Sequence, residues 1–409
     1  MNPSEQEQRS GPQLAIFGGA PAFAEARHVG RPNLGNRDRF MARLNDILDK
    51  RWLTNRGEYV IELEKRIAEL VGVRNCILVC NGTVGLELLV RALGLRGEVI
   101  VPAFTFVATA HALQWQEITP VFADIDPATH CLDPGSVESM ITPRTSGIIG
   151  VHVWGRPCAV DELAEIAARR SLKLMFDAAH AFGCSHEGRM IGSFGAAEVF
   201  SFHATKIMNT FEGGAIVTND DRLAEQLRLM QNFGFAGYDR VIYVGTNGKM
   251  SEVCAAMGLT NLESLDELIE CNRRNYLSYW RELAGIAGLR LFLYDERHRN
   301  NYQYVVVTVG DDTALSRDEL MEVLHAENVL ARRYFFPGVH RMEPYRSYFP
   351  HAHLLLPRTE EVCRQVLILP TGTAVSEEDI ARICEVIRIA LDNAPAVRAR
   401  LAELRAPVT

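Results

Sequence analysis

The segment NCILVCNGTVGLELLVRALG, residues 75–94, joins a short apolar run to a glycine-containing turn and an amphipathic stretch. Residues 75–80 form the apolar run, which is typical of a buried strand. After the turn, apolar side chains recur at helical spacing between residues 86 and 93. The segment therefore predicts a strand, a tight turn and a helix, which is the repeating unit of α/β domains.

The same alternation of apolar runs and helical periodicity continues towards the C-terminus. The predicted strands are residues 75–80, 98–101, 120–123, 146–153, 173–176, 198–202 and 214–218. Most of these runs are apolar at consecutive positions, which is typical of parallel strands that are covered on both faces. The sequence therefore predicts an α/β fold with a mostly parallel seven-stranded sheet sandwiched by helices.

The pattern changes after residue 249. A long helical stretch is predicted first, and shorter strands and helices follow: 251–283 (helix), 289–293 and 303–309 (strands), 317–327 and 376–392 (helices). This mixture predicts a smaller α+β domain. We therefore expect a polar tail (1–13), a large α/β domain (14–250) and a smaller C-terminal α+β domain (251–409).

Composition and charge exclude several classes of function. The net charge is −8 and no run of five basic residues occurs, so we expect no nucleic-acid partner. The nine cysteines are never spaced as C-x-x-C, which argues against a disulfide framework or a zinc site and favours a reducing compartment. The pair His351 and His353 lacks a suitably spaced carboxylate or cysteine, so we expect no metal. No apolar run reaches eighteen residues and the tail lacks an apolar core, so we expect a cytoplasmic protein without a membrane partner.

Two residues at strand ends point to a specific cofactor. Asp177 ends the predicted strand KLMFD, and Lys206 lies in the loop between two predicted strands in EVFSFHATKIMNTFEGGAIVT. Taken alone, a helix N-cap and a solvated surface lysine would explain them. Ligands of open α/β sheets, however, bind at the carboxyl ends of the strands. A lysine that forms an imine and an acid that pairs with a pyridine nitrogen are what pyridoxal phosphate requires.

Further residues could hold the phosphate and the ring of that cofactor. The turn at residues 81–85 precedes a predicted helix, whose free N–H groups and dipole favour an anion. Ser201 and His203 are candidate side-chain donors, and Phe106 could stack on the ring. A tight connection and an ordinary core phenylalanine are the alternative explanations.

Longer motifs carry a family resemblance. The segments are VPAFTFVATAHAL, PVFADID, VHVWGRP, DAAHAFG, FSFHATKIMNTFEGGA and GTNGKMSEVCAAMGL. They resemble the pyridoxal-phosphate-dependent nucleotide-sugar aminotransferases of the DegT/DnrJ/EryC1/StrS family, over roughly residues 17–392. The resemblance implies an aspartate-aminotransferase-like fold (fold type I) and a homodimer whose active sites are shared between subunits.

The resemblance also assigns roles to individual residues. Lys206 matches the Schiff-base lysine, Asp177 the partner of the pyridine nitrogen, and His180 a residue close to the face or the 3-hydroxyl of the ring. The other implied cofactor contacts are Gly82, Thr83, Val84 and Ser201 (phosphate), Phe106 (stacking), His203 (phosphate or support) and Asn232 (phosphate of the neighbouring subunit). The expected cofactor is pyridoxal 5'-phosphate, which alternates with its pyridoxamine form.

The reaction and the substrate follow from the same resemblance. Some dehydratase relatives carry histidine where the transaminases carry lysine, so Lys206 favours transamination. The segments GTNGKMSE and RRYFFPGVHRMEPYR look most like the subgroup that aminates C4 of dTDP-4-keto-6-deoxyglucose, with glutamate as the expected donor. Lys249, Tyr334 and His340 are the expected substrate contacts. The alternatives are a 3-keto-sugar aminotransferase, a pyridoxamine-dependent sugar dehydratase and a non-catalytic cofactor-binding regulator.

One basic cluster has two competing interpretations. It comprises Arg332, Arg333, Arg341 and Arg346. Such a cluster is usually a solvated surface, but the aromatic residues between its members in an acidic protein would also suit a nucleotide diphosphate.

Overall fold

The computed structural model describes residues 14–405. Its strands are β1 (Arg27–His28), β2 (Asn75–Val79), β3 (Glu98–Pro102), β4 (Thr119–Ala123), β5 (Thr145–Val151), β6 (Lys173–Asp177), β7 (Ser185–His186), β8 (Arg189–Met190), β9 (Glu198–Ser201), β10 (Gly214–Thr218), β11 (Leu289–Leu291), β12 (Val305–Val309), β13 (Val329–Leu330) and β14 (Val366–Leu369). Its α-helices are α1 (Arg37–Lys50), α2 (Glu58–Val71), α3 (Gly82–Ala92), α4 (Ala108–Gln114), α5 (Pro134–Ser139), α6 (Val160–Arg170), α7 (Asp221–Met230), α8 (Glu252–Leu262), α9 (Leu265–Leu283), α10 (Arg317–Ala326), α11 (Tyr345–Tyr348), α12 (Pro357–Gln365), α13 (Glu377–Asp392) and α14 (Ala394–Arg405).

The central sheet has seven strands in the order β2-β10-β9-β6-β5-β3-β4. All neighbours are parallel except for β10, which runs antiparallel to both β2 and β9. The prediction of a mostly parallel seven-stranded sheet is therefore confirmed. Because β10 returns beside β9, the loop between them lies at the carboxyl end of β9, next to the end of β6.

Helices cover both faces of this sheet. On one face, α3, α4 and α7 bury Leu89, Leu113 and Leu227 against the strands. On the other face, helices that include α2 and α6 bury residues such as Leu63 and Leu163. Each fully buried leucine stabilises the fold by about 1.5–3 kcal/mol, so the two apolar layers fix where the strand ends lie.

A second hydrophobic core lies in the C-terminal part, around the antiparallel sheet β11-β12-β14. The N-terminal residues Leu14, Ile16 and Phe23 pack into this core. The buried carboxylate of Glu327 accepts the backbone N–H groups of Ala15 and Ala22, each at 2.6 Å, and β1 pairs with β13. The segment at the start of the described chain therefore packs with the smaller domain, whereas we had assigned it to the large one.

The boundary after residue 250 also differs from the prediction. The predicted helix 251–283 is two helices, α8 and α9, with a break at residues 263–264. Helix α8 packs on α1 and α2 of the large domain, where a Cβ at Gly258 would lie 2.5 Å from the Leu63 side chain. This close approach keeps α8 with the large domain.

Three further predictions concern the two ends of the chain, membrane-spanning helices and the cysteines. The polar tail 1–13 lies outside the described residues, and helix α14 follows the final helix that we predicted. Across residues 14–405, no helix combines the length and the apolar character needed to cross a membrane. All nine cysteines are free thiols.

Candidate active site

A cavity of about 680 Å³ lies at the carboxyl ends of the central strands. The large domain forms its floor, and side chains near β12 and β13 of the smaller domain form one wall. The predicted site residues that line it are Gly82, Thr83, Val84, Phe106, Asp177, His180, Ser201, His203, Lys206 and Tyr334. The structure therefore brings together residues from many separate segments of the chain.

Asp177 is the last residue of β6 and lies at the base of the cavity. Its Oδ2 accepts the Thr109 hydroxyl at 2.8 Å, and its Oδ1 accepts the Ala179 backbone N–H at 3.1 Å. Burial raises the pKa of this carboxyl, while those two donors and the nearby Lys206 act in the opposite direction. The residues that follow Asp177 form turns, so the alternative role as a helix N-cap is not realised.

Lys206 is half-buried in the loop between β9 and β10. Its Nζ lies 3.4 Å from the hydroxyl of Tyr304, and its backbone N–H donates to the His203 carbonyl. Burial lowers the pKa of the amine to about 8, although the charge of Asp177 partly opposes the shift. A lowered pKa increases the fraction of neutral amine, which is the form that attacks a carbonyl. The alternative of an ordinary solvated lysine does not describe this position.

His180 presents a neutral imidazole to the cavity. The backbone N–H of Trp154 donates to its Nδ1 at 3.3 Å, which leaves Nε2 to carry the proton. Burial, together with the charge of Lys206, lowers the pKa of this histidine well below its usual value. Its ring stacks nearly parallel to Phe335, with the centroids 5.8 Å apart. These contacts fix the orientation of the imidazole.

The start of α3 presents a group of hydrogen-bond donors that suits an anion, and we call this group the anion cradle. The side chain of Asn81 caps the helix by accepting the Val84 N–H at 2.8 Å. The N–H groups of Gly82 and Thr83 belong to the first turn, where no helical acceptor is available. A Cβ at Gly82 would lie 3.2 Å from the Cβ of Ser201, so a larger residue would crowd that serine. Free N–H groups, a hydroxyl and the positive end of the helix dipole suit a phosphate.

Phe106 and His203 lie at the rim of the cavity. Phe106 is 60% exposed and lines the cavity, so its ring is accessible to a planar ligand. The Nδ1 of His203 lies 2.9 Å from the Thr205 hydroxyl, and its Nε2 is 3.6 Å from a Glu212 oxygen. This geometry suits a supporting role for the histidine.

Three expected site residues lie outside this cavity. Lys249 donates to Asn232 Oδ1 at 3.0 Å, so these two residues form one group beside the exposed hairpin of residues 232–247. His340 is buried, and its Nε2 lies 2.6 Å from Glu360 beneath Gly338. We expected His340 to line the sugar pocket. Within this chain, however, the contact with Glu360 places His340 outside the cavity.

The structure adds residues that the sequence did not single out. Thr109 contacts Asp177, and Tyr304 contacts Lys206. Thr109 lies in the motif VPAFTFVATAHAL, whose small polar residues were a usable signal. Tyr304 is 98 residues from Lys206, and no local pattern relates the two.

The basic cluster separates into paired and unpaired members. Arg333, Arg341 and Arg346 form ion pairs with Asp318, Glu360 and Glu343. Arg332 has no carboxylate partner among residues 14–405 and lies over the Tyr334 ring, 5.1 Å from its centroid. Because Arg332 also lines the cavity, it is the member that is available to an anionic ligand.

Together these groups fit pyridoxal phosphate. The cavity offers an amine with a lowered pKa, a buried carboxylate, an anion cradle and an accessible aromatic ring. Each matches one part of the cofactor: its carbonyl, its ring nitrogen, its phosphate and its ring.

Comparisons with known proteins agree with this geometry. The model of the DegT/DnrJ/EryC1/StrS aminotransferase family matches residues 35–388, and the chain belongs to this family. The predicted enzyme class, a pyridoxal-phosphate-dependent sugar aminotransferase, and its fold and cofactor are thereby confirmed.

Individual relatives are similar over nearly their full length. A dTDP-4-amino-4,6-dideoxy-D-glucose transaminase from Shigella dysenteriae is 38% identical over 360 residues, covering 88% of this chain and 98% of the relative. A GDP-perosamine synthase from Caulobacter vibrioides is 36% identical over 350 residues, covering 83% and 91%. The crystal structure of DesI in the presence of its TDP-sugar product has 51% sequence identity and a TM-score of 0.90, covering 96% and 98%.

Proposed function

We propose that this aminotransferase moves an amino group from glutamate to C4 of a nucleotide-linked 4-keto-6-deoxyhexose, namely dTDP-4-keto-6-deoxy-D-glucose. The product would be the 4-amino-4,6-dideoxy sugar of deoxyaminosugar biosynthesis. The observation that carries the proposal is that Lys206 and Asp177 line one cavity, whose wall also presents Arg332, which has no carboxylate partner among residues 14–405. The names of the Shigella relative and of the DesI structure support the dTDP-linked 4-amino product.

The residues that line the cavity would have separate roles in the transamination. Pyridoxal phosphate, when bound, supplies a carbonyl that exchanges amines and a protonated ring that takes up electron density. Asp177 would hold the proton on the ring nitrogen, because a buried carboxylate favours a cationic partner. Lys206 would hold the cofactor between turnovers and, once free, take up and return a proton at Nζ, a task that its pKa of about 8 suits.

Substrate binding is assigned to the wall formed by the smaller domain. A nucleotide diphosphate carries negative charge, and Arg332 is a cation in the cavity without a carboxylate partner in the described chain. The Tyr334 ring lies beneath the guanidinium of Arg332, and Tyr334 would contact the sugar. Binding energy from the remote nucleotide can orient the reacting ketone.

The second subunit would complete the site. Exposed apolar side chains cover the hairpin 232–247: Phe233, Phe235, Tyr238, Val241, Ile242, Tyr243 and Val244. Such a concentration of exposed apolar side chains in one short segment is typical of a protein interface. We therefore assign the hairpin to a homodimer contact, through which Asn232 and Lys249 would reach the phosphate groups in the neighbouring active site. Cytoplasmic location stays a prediction.

A substrate panel tests the proposed function. Purified protein loaded with the cofactor is incubated with glutamate and dTDP-4-keto-6-deoxyglucose, its 3-keto isomer, or a GDP-linked 4-keto-6-deoxyhexose. We expect an amine at C4 of the dTDP-linked 4-keto sugar, identified by mass spectrometry and NMR, and none with Lys206→Ala.

Each other outcome overturns a defined part of the proposal. A preference for the 3-keto isomer would change the position of amination. A preference for the GDP-linked sugar, as the name of the Caulobacter relative suggests for that protein, would change the nucleotide. Loss of a sugar hydroxyl without gain of nitrogen would identify a dehydratase. Cofactor binding without turnover of any sugar would support a regulator.

A further inference from the structure

Two buried threonines, Thr105 and Thr109, form a hydrogen-bonded chain that ends at the Asp177 carboxylate. Thr109 lies in the first turn of α4 and Thr105 in the segment before it, and both side chains are almost fully excluded from solvent. The Thr105 and Thr109 hydroxyl oxygens are 2.9 Å apart, and the Thr109 hydroxyl is 2.8 Å from Asp177 Oδ2. The three side chains form one continuous hydrogen-bonded row.

The chemistry of the groups fixes the direction of the row. An ionised carboxylate only accepts hydrogen bonds, whereas a hydroxyl donates one and accepts others. Thr109 therefore donates a hydrogen bond to Asp177, and Thr105 is the donor in the bond between the threonines. Hydrogen bonds that point the same way polarise one another, so Thr105 strengthens the bond that Thr109 makes.

No charged side chain makes a direct hydrogen bond to Asp177 within the described chain. Lys206, from the loop after β9, and His152, from the end of β5, act on it through space. His180 also lies nearby, but it is neutral because burial lowers its pKa. The direct donors are the Ala179 backbone N–H and the Thr109 hydroxyl. Thr109 is the side chain among them, so it is the donor that substitution can remove.

We propose that Thr109, polarised by Thr105, is a positioning residue that keeps the Asp177 carboxylate ionised and aims it at the ring nitrogen of the bound cofactor. This role of Thr109 depends on the cofactor class and not on the proposed sugar. A different sugar substrate would leave it intact. Without the hydroxyl, burial would dominate and the pKa of Asp177 would rise.

The affinity of the apo-protein for pyridoxal phosphate, measured against pH, tests the proposal without reference to turnover. Below the pKa of Asp177 the neutral acid no longer pairs with the ring cation, so the affinity falls. Asp177→Asn removes the titrating group and identifies this fall. We expect Thr109→Val to move its midpoint upward by about one pH unit, and Thr105→Val to move it upward by less.

The matched control is Thr109→Ser, which keeps the hydroxyl and should retain the wild-type midpoint. Thr109→Ala is a second variant without the hydroxyl, and we expect it to reproduce the shift if Thr109→Val does not fold. The contrary result is that the hydroxyl-free variants keep the wild-type midpoint of the affinity–pH curve and lose cofactor affinity equally at every pH. That result would show that Thr109 contributes only packing, and it would overturn the proposal. An unshifted Thr105→Val would overturn the role of Thr105.

Discussion

The Nζ atom of Lys206 lies 3.4 Å from the Tyr304 hydroxyl, which joins the floor of the cavity to the smaller domain. Tyr304 precedes β12, and its ring packs at a tilt against His180 with the centroids 4.6 Å apart. Burial raises the pKa of the Tyr304 phenol well above its ordinary value, so the phenol stays protonated and can serve as a donor. The amine is thus oriented by a residue that is distant in the sequence.

We predict that Tyr304→Phe lowers kcat by about three- to tenfold, the effect of one hydrogen bond of ordinary strength. Cofactor attachment should persist, because Lys206 itself is unchanged. Steady-state kinetics with the sugar substrate and the absorbance of the bound cofactor measure the two effects. Tyr59→Phe, which removes a hydroxyl bonded to Asp46 away from the cavity, is the matched control. Equal losses in both variants would contradict a specific role for Tyr304.

We predict that borohydride reduction of the loaded enzyme labels Lys206, and that the rate of attachment to the apo-protein rises with pH through about 8. The sign follows from the lowered pKa, because the neutral amine reacts and its fraction grows as pH rises through that value. Rapid-mixing absorbance and peptide mapping provide the measurements. Lys173→Ala, at the start of β6, is the control that should label normally. A label on another lysine, or a midpoint near the usual lysine pKa, would contradict the assignment.

We predict that Asp177→Asn binds the cofactor but loses activity by about a hundredfold or more, because an amide cannot stabilise the ring proton. The near-isosteric change should preserve folding, since the amide oxygen can accept the Ala179 N–H while the amide NH2 donates to the Thr109 hydroxyl, which can turn its own proton towards Thr105. Thermal unfolding and turnover are compared with Asp133→Asn, a change at the N-cap of α5. A rate close to that of the wild type would show that Asp177 has only a structural role.

We predict that mixing inactive Lys206→Ala chains with inactive Asn232→Ala chains restores activity. If Asn232 serves the neighbouring site, one site of each hybrid dimer carries both wild-type residues. The recovered rate should approach a quarter of the wild-type rate at equal mixing, because half of the dimers are hybrids with one intact site each. Unmixed variants are the controls. No recovery at any ratio would mean that each site is built within one chain.

The sequence predicted the large domain well because its strands are buried on both faces. Such strands are continuous apolar runs, and all seven were recognised within a few residues. The positions of Asp177 and Lys206 beside the cavity were predicted for a related reason, since a polar residue at or shortly after the carboxyl end of a buried strand lies where ligands of open α/β sheets bind. The anion cradle at Gly82 was visible as a glycine turn before a helix.

The sequence by itself thus determined the layered α/β body, its strand-end residues and, through its motifs, the family. Other contacts were revealed only by the tertiary structure. Glu327 accepts hydrogen bonds from the N-terminal segment, and the Tyr304 hydroxyl contacts Lys206. Glu360 binds His340 outside the cavity. These contacts join residues that are distant in the chain or depend on how two domains meet. Hydrophobic periodicity reports only the local environment of a strand or helix, so it contains no information about which distant side chain lies opposite.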